Sequence, residues 1–240
     1  MKIGIFDSGI GGLNVLKELI NTHPNNHYIY YGDTKNVPYG NKSKEELLKL
    51  SRRIINFFEE KSVDLIIIAC GTISSNCYLE LLKETKIKLY DIITPTINYI
   101  NNSSFKNIGL IGTTKTIESN IFQNNIKNKK LIYKDTPIFV PIIENDEILL
   151  KEKDIINEIS LFKNKIDCLI LGCTHYPLLD KILCKYLEVP LIDMGKCLVD
   201  KIEITDNNYS KIELYFSHLN DKIIKNINKI IEKDKEIIEV

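Results

Sequence analysis

Two segments of the sequence share one local pattern, in which a run of apolar residues ends in a small residue and a cysteine that is closely followed by a threonine. The first is Ile66-Ile67-Ile68-Ala69-Cys70-Gly71-Thr72, and the second is Leu169-Ile170-Leu171-Gly172-Cys173-Thr174-His175. Residues 2–8 and 107–113 also resemble each other, at an offset of 105 that is close to the 103 residues between Cys70 and Cys173. This internal repeat predicts two similar lobes with a cysteine at equivalent positions.

Apolar runs and helical patterns alternate along the chain. Short apolar runs predict strands at residues 3–6, 28–31, 65–69, 108–111, 137–140 and 168–171. Amphipathic spacing predicts helices at residues 12–21, 43–61, 153–162 and 223–231, with another beginning near residue 116, and the helix at 223–231 is expected to pack as core. Alternating units of this kind predict an α/β fold with open parallel sheets, which bind ligands at the carboxyl ends of their strands.

The repeat predicts two pseudo-symmetric lobes with the active site in the cleft between them. We expect the first lobe to contain residues 1–93 and about 197–240, and the second to contain residues 94–196. Thr94-Pro95 is a suitable crossing point because the residue before a proline disfavours helix. A return crossing near residues 193–196 would let the final strand and helix rejoin the first lobe.

The balance of charge argues against a nucleic-acid partner. The chain has 32 Lys and Arg residues and 32 Asp and Glu residues, and the basic residues form no cluster. The first strand directly follows Met1 without the segments of a secretory signal, and no apolar stretch is long enough to span a bilayer. We therefore expect a cytoplasmic protein without a membrane partner, in which the six cysteines are reduced.

Cys70 and Cys173 are the candidate reactive groups because the repeat pairs them. The remaining cysteines have no counterpart in the other lobe and are interpreted as structural: Cys77, Cys168, Cys184 and Cys197. A free thiol has a pKa of about 8.5 and needs a neighbour that tunes or accepts its proton. Asp7 in the first lobe and His175, two residues after Cys173, are suitable neighbours.

The sequence has no clear cofactor or metal motif. Residues 7–9 could form a simple turn, or could hold an anion such as a carboxylate before the next helix. The same region lacks the spacing of a dinucleotide fingerprint and the lysine of a P-loop. Neither a Cys-x-x-Cys pair nor a histidine pair supports a metal site around Cys70, Cys173 and His175.

Racemisation is a reaction that two opposed thiols can perform without a cofactor. One base removes a proton from one face of a carbon between an amine and a carboxylate, and an acid delivers a proton to the other face. Two other classes of protein are also compatible with the sequence. A Cys-His hydrolase would use Cys173 as a nucleophile and would not need Cys70, and an amino-acid sensor would bind a ligand without exchanging its α-proton.

Six ordered motifs within residues 3–178 resemble the cofactor-independent glutamate racemases of the aspartate/glutamate racemase superfamily. They are Phe6-Asp7-Ser8-Gly9-Ile10-Gly11-Gly12-Leu13, Tyr31-Gly32-Asp33-Thr34 with Val37-Pro38-Tyr39-Gly40, Ala69-Cys70-Gly71-Thr72, Gly112-Thr113 with Thr116, Val140-Pro141-Ile142-Ile143-Glu144, and Leu171-Gly172-Cys173-Thr174-His175-Tyr176-Pro177-Leu178.

The resemblance implies a role for each matching residue. Cys70 would act on D-glutamate with help from Asp7, and Cys173 would act on L-glutamate with help from Glu144 and His175. It also implies a homodimer without cofactor or metal, whose product feeds peptidoglycan synthesis and so cell-wall formation and cell shape. The implied substrate-binding residues are Asp7, Ser8, Pro38, Tyr39, Gly40, Gly71, Thr72, Thr113, Thr116, Thr174 and His175.

Gly71 departs from the family pattern, which usually has Asn between the cysteine and the threonine. Glycine removes an amide that could donate and accept hydrogen bonds. The loss of a hydrogen bond to a charged group costs about 1.5–3 kcal/mol, enough to weaken binding roughly ten- to hundredfold. Racemisation of aspartate or of another amino acid is therefore the nearest alternative function.

Overall fold

The computed structural model describes residues 1–206 and 208–240 and contains two parallel β-sheets in this part of the chain. The strands are β1 Lys2–Asp7, β2 His27–Gly32, β3 Leu65–Ile68, β4 Lys88–Asp91, β5 Asn107–Gly112, β6 Lys130–Asp135, β7 Cys168–Gly172, β8 Leu191–Asp193, β9 Lys211–Phe216 and β10 Glu236–Glu239. The first sheet has the order β10-β9-β2-β1-β3-β4, and the second has the order β6-β5-β7-β8.

The two sheets repeat one topology. The order β2-β1-β3-β4 in the first sheet corresponds strand by strand to β6-β5-β7-β8 in the second. The register is also similar, since Ile3 of β1 lies beside Leu65 of β3 and Ile108 of β5 lies beside Cys168 of β7. The predicted fold class of two similar lobes with open parallel sheets is confirmed, and β9 and β10 extend the first sheet beyond β2.

Helices connect the strands and cover both sheets. Within the described residues they are α1 Leu13–Thr22, α2 Lys44–Glu60, α3 Gly71–Asn76, α4 Tyr78–Glu84, α5 Ile93–Asn102, α6 Thr114–Glu118, α7 Ile121–Asn125, α8 Phe139–Glu144, α9 Glu152–Ile159, α10 Asp180–Leu187, α11 Met194–Val199 and α12 Asp221–Ile230, with short 3-10 helices at Tyr39–Asn41, Ser160–Phe162 and Tyr176–Leu179. No described helix is both long and apolar enough to span a membrane.

The longest of these helices, α2, shows how the sequence defines an element. Ser43 and Glu46 form a reciprocal capping box at its N-terminus, which satisfies backbone amides that have no partner within the helix. Leu47, Ile54 and Phe58 lie on its buried face. These side chains pack with Phe6, Ile66 and Ile68 of the first sheet, so the predicted amphipathic pattern positions the helix on that sheet.

The strand predicted at residues 137–140 is wrong. The strand of this region is β6, which ends at Asp135, and Phe139–Glu144 forms the helix α8. A short apolar run does not by itself distinguish a buried strand from a buried helical turn. β6 is an edge strand with lysines at its beginning and near its end, and it buries none of its six residues fully, so its apolar signal is weak.

The core joins the two sheets. One cluster of buried side chains contains Ile3 and Ile67 of the first sheet together with Ile108 and Ile170 of the second. The predicted packing of the last helix is confirmed, since Ile227 of α12 is fully buried in this cluster. Strands within residues 2–91 and 211–239 lie in the first sheet, and those within 107–193 lie in the second. The predicted boundaries between lobes stay a prediction.

Candidate active site

The carboxyl ends of strands from both sheets surround a cavity of about 160 Å³. Cys70 follows β3, Thr113 follows β5 and Cys173 follows β7, and all three line this cavity. The lining also contains most of the other predicted site residues: Ser8, Pro38, Tyr39, Gly40, Gly71, Thr72, Glu144, Thr174 and His175. The structure therefore brings the two repeated cysteines to one cavity. Asp7 and Thr116 are fully buried and lie outside its lining.

The Cys70 thiol has a largely apolar and buried environment. Its Sγ donates to the Oγ of Ser8 at 3.8 Å. Burial is the main cause that raises the pKa of Cys70, to about 12, and the nearby charge of Asp7 adds to the effect. At neutral pH Cys70 therefore carries its proton, so its side chain is suited to act as a proton donor.

Cys173 lies at one end of a short polar chain. The Sγ of Cys173 is 3.8 Å from Nδ1 of His175, and Nε2 of the same imidazole is 3.1 Å from Oε1 of Glu144. Burial lowers the pKa of His175, but its hydrogen bonds to Cys173 and Glu144 outweigh burial and raise the pKa well above the usual value. A protonated imidazole next to a cysteine is the kind of partner that stabilises a thiolate.

Asp7 lies outside the cavity lining and bonds to residues of both sheets' loops. Its Oδ1 accepts from the backbone amide of Gly9 at 2.9 Å, and its Oδ2 accepts from the hydroxyl of Thr174 at 3.0 Å. Both oxygens are therefore engaged by groups other than the thiol. The charge of Asp7 nevertheless contributes, after burial, to the raised pKa of Cys70.

Threonine hydroxyls form a second contact between the two halves of the site, which are the loops that follow strands of the first sheet and the loops that follow strands of the second. Thr72 Oγ1 lies 3.1 Å from Thr113 Oγ1, which in turn lies 2.9 Å from Thr116 Oγ1. Thr113 also caps the N-terminus of α6 by accepting from the amide of Thr116. Thr72 and Thr113 line the cavity, and Thr116, which lies outside the lining, orients Thr113.

The loop after β2 closes one side of the cavity with Pro38, Tyr39 and Gly40. The hydroxyl of Tyr39 donates to Oδ2 of the buried Asp33 at 2.6 Å. Ser217, which follows β9, donates to the other oxygen of Asp33 at 2.7 Å. Asp33 therefore anchors this loop to the first sheet, although its motif gave no indication of that role in the sequence.

Gly71 lies where the backbone of the two halves comes close together. A Cβ atom at this position would lie 2.8 Å from the carbonyl oxygen of Gly172, the residue before Cys173. It would also lie 3.4 Å from Cε of Met194. The departure from the family pattern at this position therefore coincides with a backbone contact that leaves no room for a side chain.

The sequence analysis assigned no site role to several lining residues, some of which lie within the resembling motifs: Val37, Asn41, Thr114, Thr136, Pro137, Val140, Pro141 and Gly172. Thr136 and Pro137 immediately follow β6, so the rule that ligands bind at carboxyl ends of strands would have found them if that strand had been placed correctly. In residues 1–206 and 208–240, no group of three or more His, Cys, Asp or Glu side chains is arranged to hold a metal ion.

Comparison with known proteins identifies the family of this chain. Residues 13–202 match the family described as Asp/Glu/Hydantoin racemase. The chain belongs to this family. Its relatives include the glutamate racemase of Aquifex aeolicus (strain VF5), at 37% identity over 98% of this chain and 96% of the relative. The glutamate racemase of Aquifex pyrophilus is 38% identical over 98% of this chain and 95% of the relative.

Solved structures of the family have the same architecture. Glutamate racemase from Francisella tularensis subsp. tularensis SCHU S4, in complex with D-glutamate, superimposes with a TM-score of 0.88 at 30% identity, over 100% of this chain and 96% of that one. The aspartate racemase of Picrophilus torridus has a TM-score of 0.63 at 24% identity, over 83% of this chain and 91% of that one. The second likeness shows a shared fold alone.

Proposed function

We propose that this member of the racemase family is a glutamate racemase that interconverts L- and D-glutamate with two thiols and no cofactor. The observation that carries the proposal is the shared cavity, which Cys70 lines after β3 and Cys173 lines after the equivalent strand β7. The family match, the full-length similarity to glutamate racemases and the likeness to a D-glutamate complex support glutamate as the substrate.

In the direction from L- to D-glutamate, Cys173 acts as the base. Its thiolate takes the α-proton, so that the Cα–H bond breaks and an S–H bond forms. Protonated His175 stabilises that thiolate before the transfer, and Glu144 keeps the imidazole charged and oriented. Glu144 and His175 therefore assist Cys173 from within its own half of the site.

Cys70 completes the reaction by donating its proton to the opposite face of the carbon. The raised pKa of Cys70 means that this proton is present at neutral pH. After the transfer Cys70 is a thiolate and Cys173 is a thiol, which is the state required to act on D-glutamate. The two directions thus use the same groups in exchanged roles, and the proton count balances over the cycle.

Most of the remaining predicted residues bind the substrate directly. Ser8, Thr72, Thr113 and Thr174 present hydroxyl groups at or beside the cavity, and such groups can hydrogen-bond to carboxylates and to an ammonium group. Pro38, Tyr39 and Gly40 enclose it on one side. Asp7 and Thr116 lie outside the cavity lining and support two of these residues, since Asp7 bonds to Thr174 and Thr116 bonds to Thr113.

Deuterium exchange tests this proposal. Purified protein is incubated with L-glutamate in ²H₂O, and chiral chromatography and NMR follow D-glutamate and α-deuterated glutamate. Wild type is expected to form both, and Cys70→Ser and Cys173→Ser are each expected to lose at least about a hundredfold in rate. Cys184→Ser, at an exposed position away from the cavity, is the matched control and should retain wild-type activity.

Other outcomes of that experiment would identify the alternatives. Exchange with L-aspartate or another amino acid, but not with glutamate, would indicate a different substrate. A hydrolase would retain its activity in Cys70→Ser and would form a covalent intermediate on Cys173. A sensor would bind glutamate, as measured by calorimetry, and would exchange no α-proton.

We further propose that the enzyme is a cytoplasmic homodimer that supplies D-glutamate for peptidoglycan. The support is its membership of a family whose glutamate racemases it resembles over nearly the full length. Expression in a bacterium that lacks its own glutamate racemase should restore growth without added D-glutamate, while Cys70→Ser should not. Analytical ultracentrifugation would test the oligomeric state.

A further inference from the structure

The loop that carries Cys173 follows β7 of the second sheet, but it forms hydrogen bonds with β1 and with the helix α1 that follows β1. Thr174 lies between Cys173 and His175 in this loop. Its hydroxyl donates to Asp7, at the end of β1, and its backbone carbonyl accepts from the Nδ2 of Asn14 at 2.9 Å. Asn14 lies in the first turn of α1, which connects β1 to β2. One side chain from β1 and one from α1 thus hold one residue of the Cys173 loop.

Asn14 uses both hydrogens of its amide in this arrangement. The same Nδ2 also donates to the carbonyl oxygen of Gly11 at 3.1 Å. Since a side-chain amide has two N–H donors, one reaches the turn before α1 and the other reaches Thr174. The amide therefore links the turn at residues 9–12 directly to the loop at residues 173–175.

The turn and the loop are also in close contact. A Cβ atom on Gly11 would lie 2.5 Å from Nδ1 of His175 and 2.6 Å from Oγ1 of Thr174. The His175 ring therefore packs directly on the backbone of the turn that Asn14 holds. Because Nδ1 is the atom that faces the Cys173 sulfur, a change in the backbone at Thr174, between the two residues, would change the distance between imidazole and thiol.

We propose that Asn14 is a positioning residue for the Cys173 half of the reaction, in which it fixes Thr174 and so aligns Cys173 with His175. The role rests on the proposed racemase function, and it predicts that loss of the Asn14 amide slows proton transfer at Cys173 more than at Cys70. Asn14 touches neither thiol and does not line the cavity, so it acts only through the loop.

Isotope effects measured in both directions test this role. The variants are Asn14→Ala and Asn14→Asp, the second of which keeps the size of the side chain and removes both donors. Each is expected to lower kcat roughly three- to tenfold or more, as for one lost hydrogen bond. With α-deuterated L-glutamate the isotope effect on kcat/KM should rise, because removal of the proton by Cys173 becomes more rate-limiting. With α-deuterated D-glutamate the isotope effect on kcat/KM should fall, because removal of the proton by Cys70 becomes less rate-limiting.

Asn21→Ala is the matched control, because Asn21 lies on the same helix at an exposed position. It should leave kcat and both isotope effects unchanged. Wild-type kinetics in both Asn14 variants, equal changes in the two isotope effects, or a lower Tm with unchanged isotope effects would each overturn the proposal. A wild-type protein that exchanges no α-proton would instead defeat the proposed function, and this role with it.

Discussion

Gly71→Asn restores the residue that the resembled racemases usually have, but the structure predicts that it lowers activity. A Cβ atom at position 71 would lie 2.8 Å from the carbonyl oxygen of Gly172, whereas ordinary van der Waals contact for such an atom begins at 3.4 Å. The contact is therefore too short by about 0.6 Å. The neighbour is backbone, so no rotamer change can relieve it.

The cost of this contact can be compared with the gain from the new amide. Overpacking of a well-packed site costs about 1–3 kcal/mol, and a hydrogen bond to a charged substrate contributes about 1.5–3 kcal/mol at best. Gly172 directly precedes Cys173, so the backbone shift that accommodates Asn also displaces the sulfur and the new amide does not recover the loss. We expect kcat/KM for glutamate to fall roughly 5- to 150-fold.

Steady-state racemisation with each enantiomer, together with Tm, measures this effect. Gly71→Ala separates the steric cost from the amide and should also lose activity, since it adds the same Cβ atom. Asn21→Ala, at an exposed position on α1, is the control and should leave kcat/KM unchanged. If Gly71→Asn matched or exceeded wild-type kcat/KM, the close contact would not constrain this site and the reasoning would fail.

Three further predictions follow from the environments of the thiols. Glu144→Gln removes the charge 3.1 Å from Nε2 of His175, so we expect a lower pKa for His175 by NMR titration and a kcat reduced about tenfold or more. Since the pKa of His175 is raised on folding, the contribution of this residue to stability should be complete below pH 6.5 and should be lost as the pH rises through the folded-state pKa. A plot of Tm against pH should show this loss in wild type and a weaker loss in Glu144→Gln. Iodoacetamide at pH 8 should label the exposed Cys184 well before Cys70, whose pKa is about 12, as read by peptide mass mapping; equal labelling rates would contradict the raised pKa.

The sequence allowed most of the fold to be predicted because its strands are strongly apolar and its repeat is visible. β1, β3, β5 and β7 are almost entirely buried, so their composition alone distinguishes them. β6 was misplaced because an edge strand with polar ends lacks this signal. The cavity residues that follow β6 were missed for the same reason, so a single error in one strand affected part of the site.

Contacts between the two halves of the site could not be predicted from the sequence. The bond between Asn14 and Thr174 joins residues 160 positions apart, and neither residue type in its local context indicates a distant partner. The same is true of Asp7, whose neighbours favour a turn but whose carboxylate accepts from Thr174. Local periodicity reports how an element packs, whereas these bonds depend on how two elements meet.

The structure also shows how a repeated pattern gives two cysteines different surroundings. Cys70 and Cys173 follow equivalent strands, yet one lies beside the Ser8 hydroxyl and the other beside an imidazole that bonds to Glu144. With equal environments the two thiols would have equal proton affinities, and neither would be predisposed to act as the acid. Because the companion groups differ, burial and the charge of Asp7 raise the pKa of Cys70, whereas an imidazole lies beside Cys173; under the proposed function this difference suits Cys70 to start as the acid and Cys173 to start as the base.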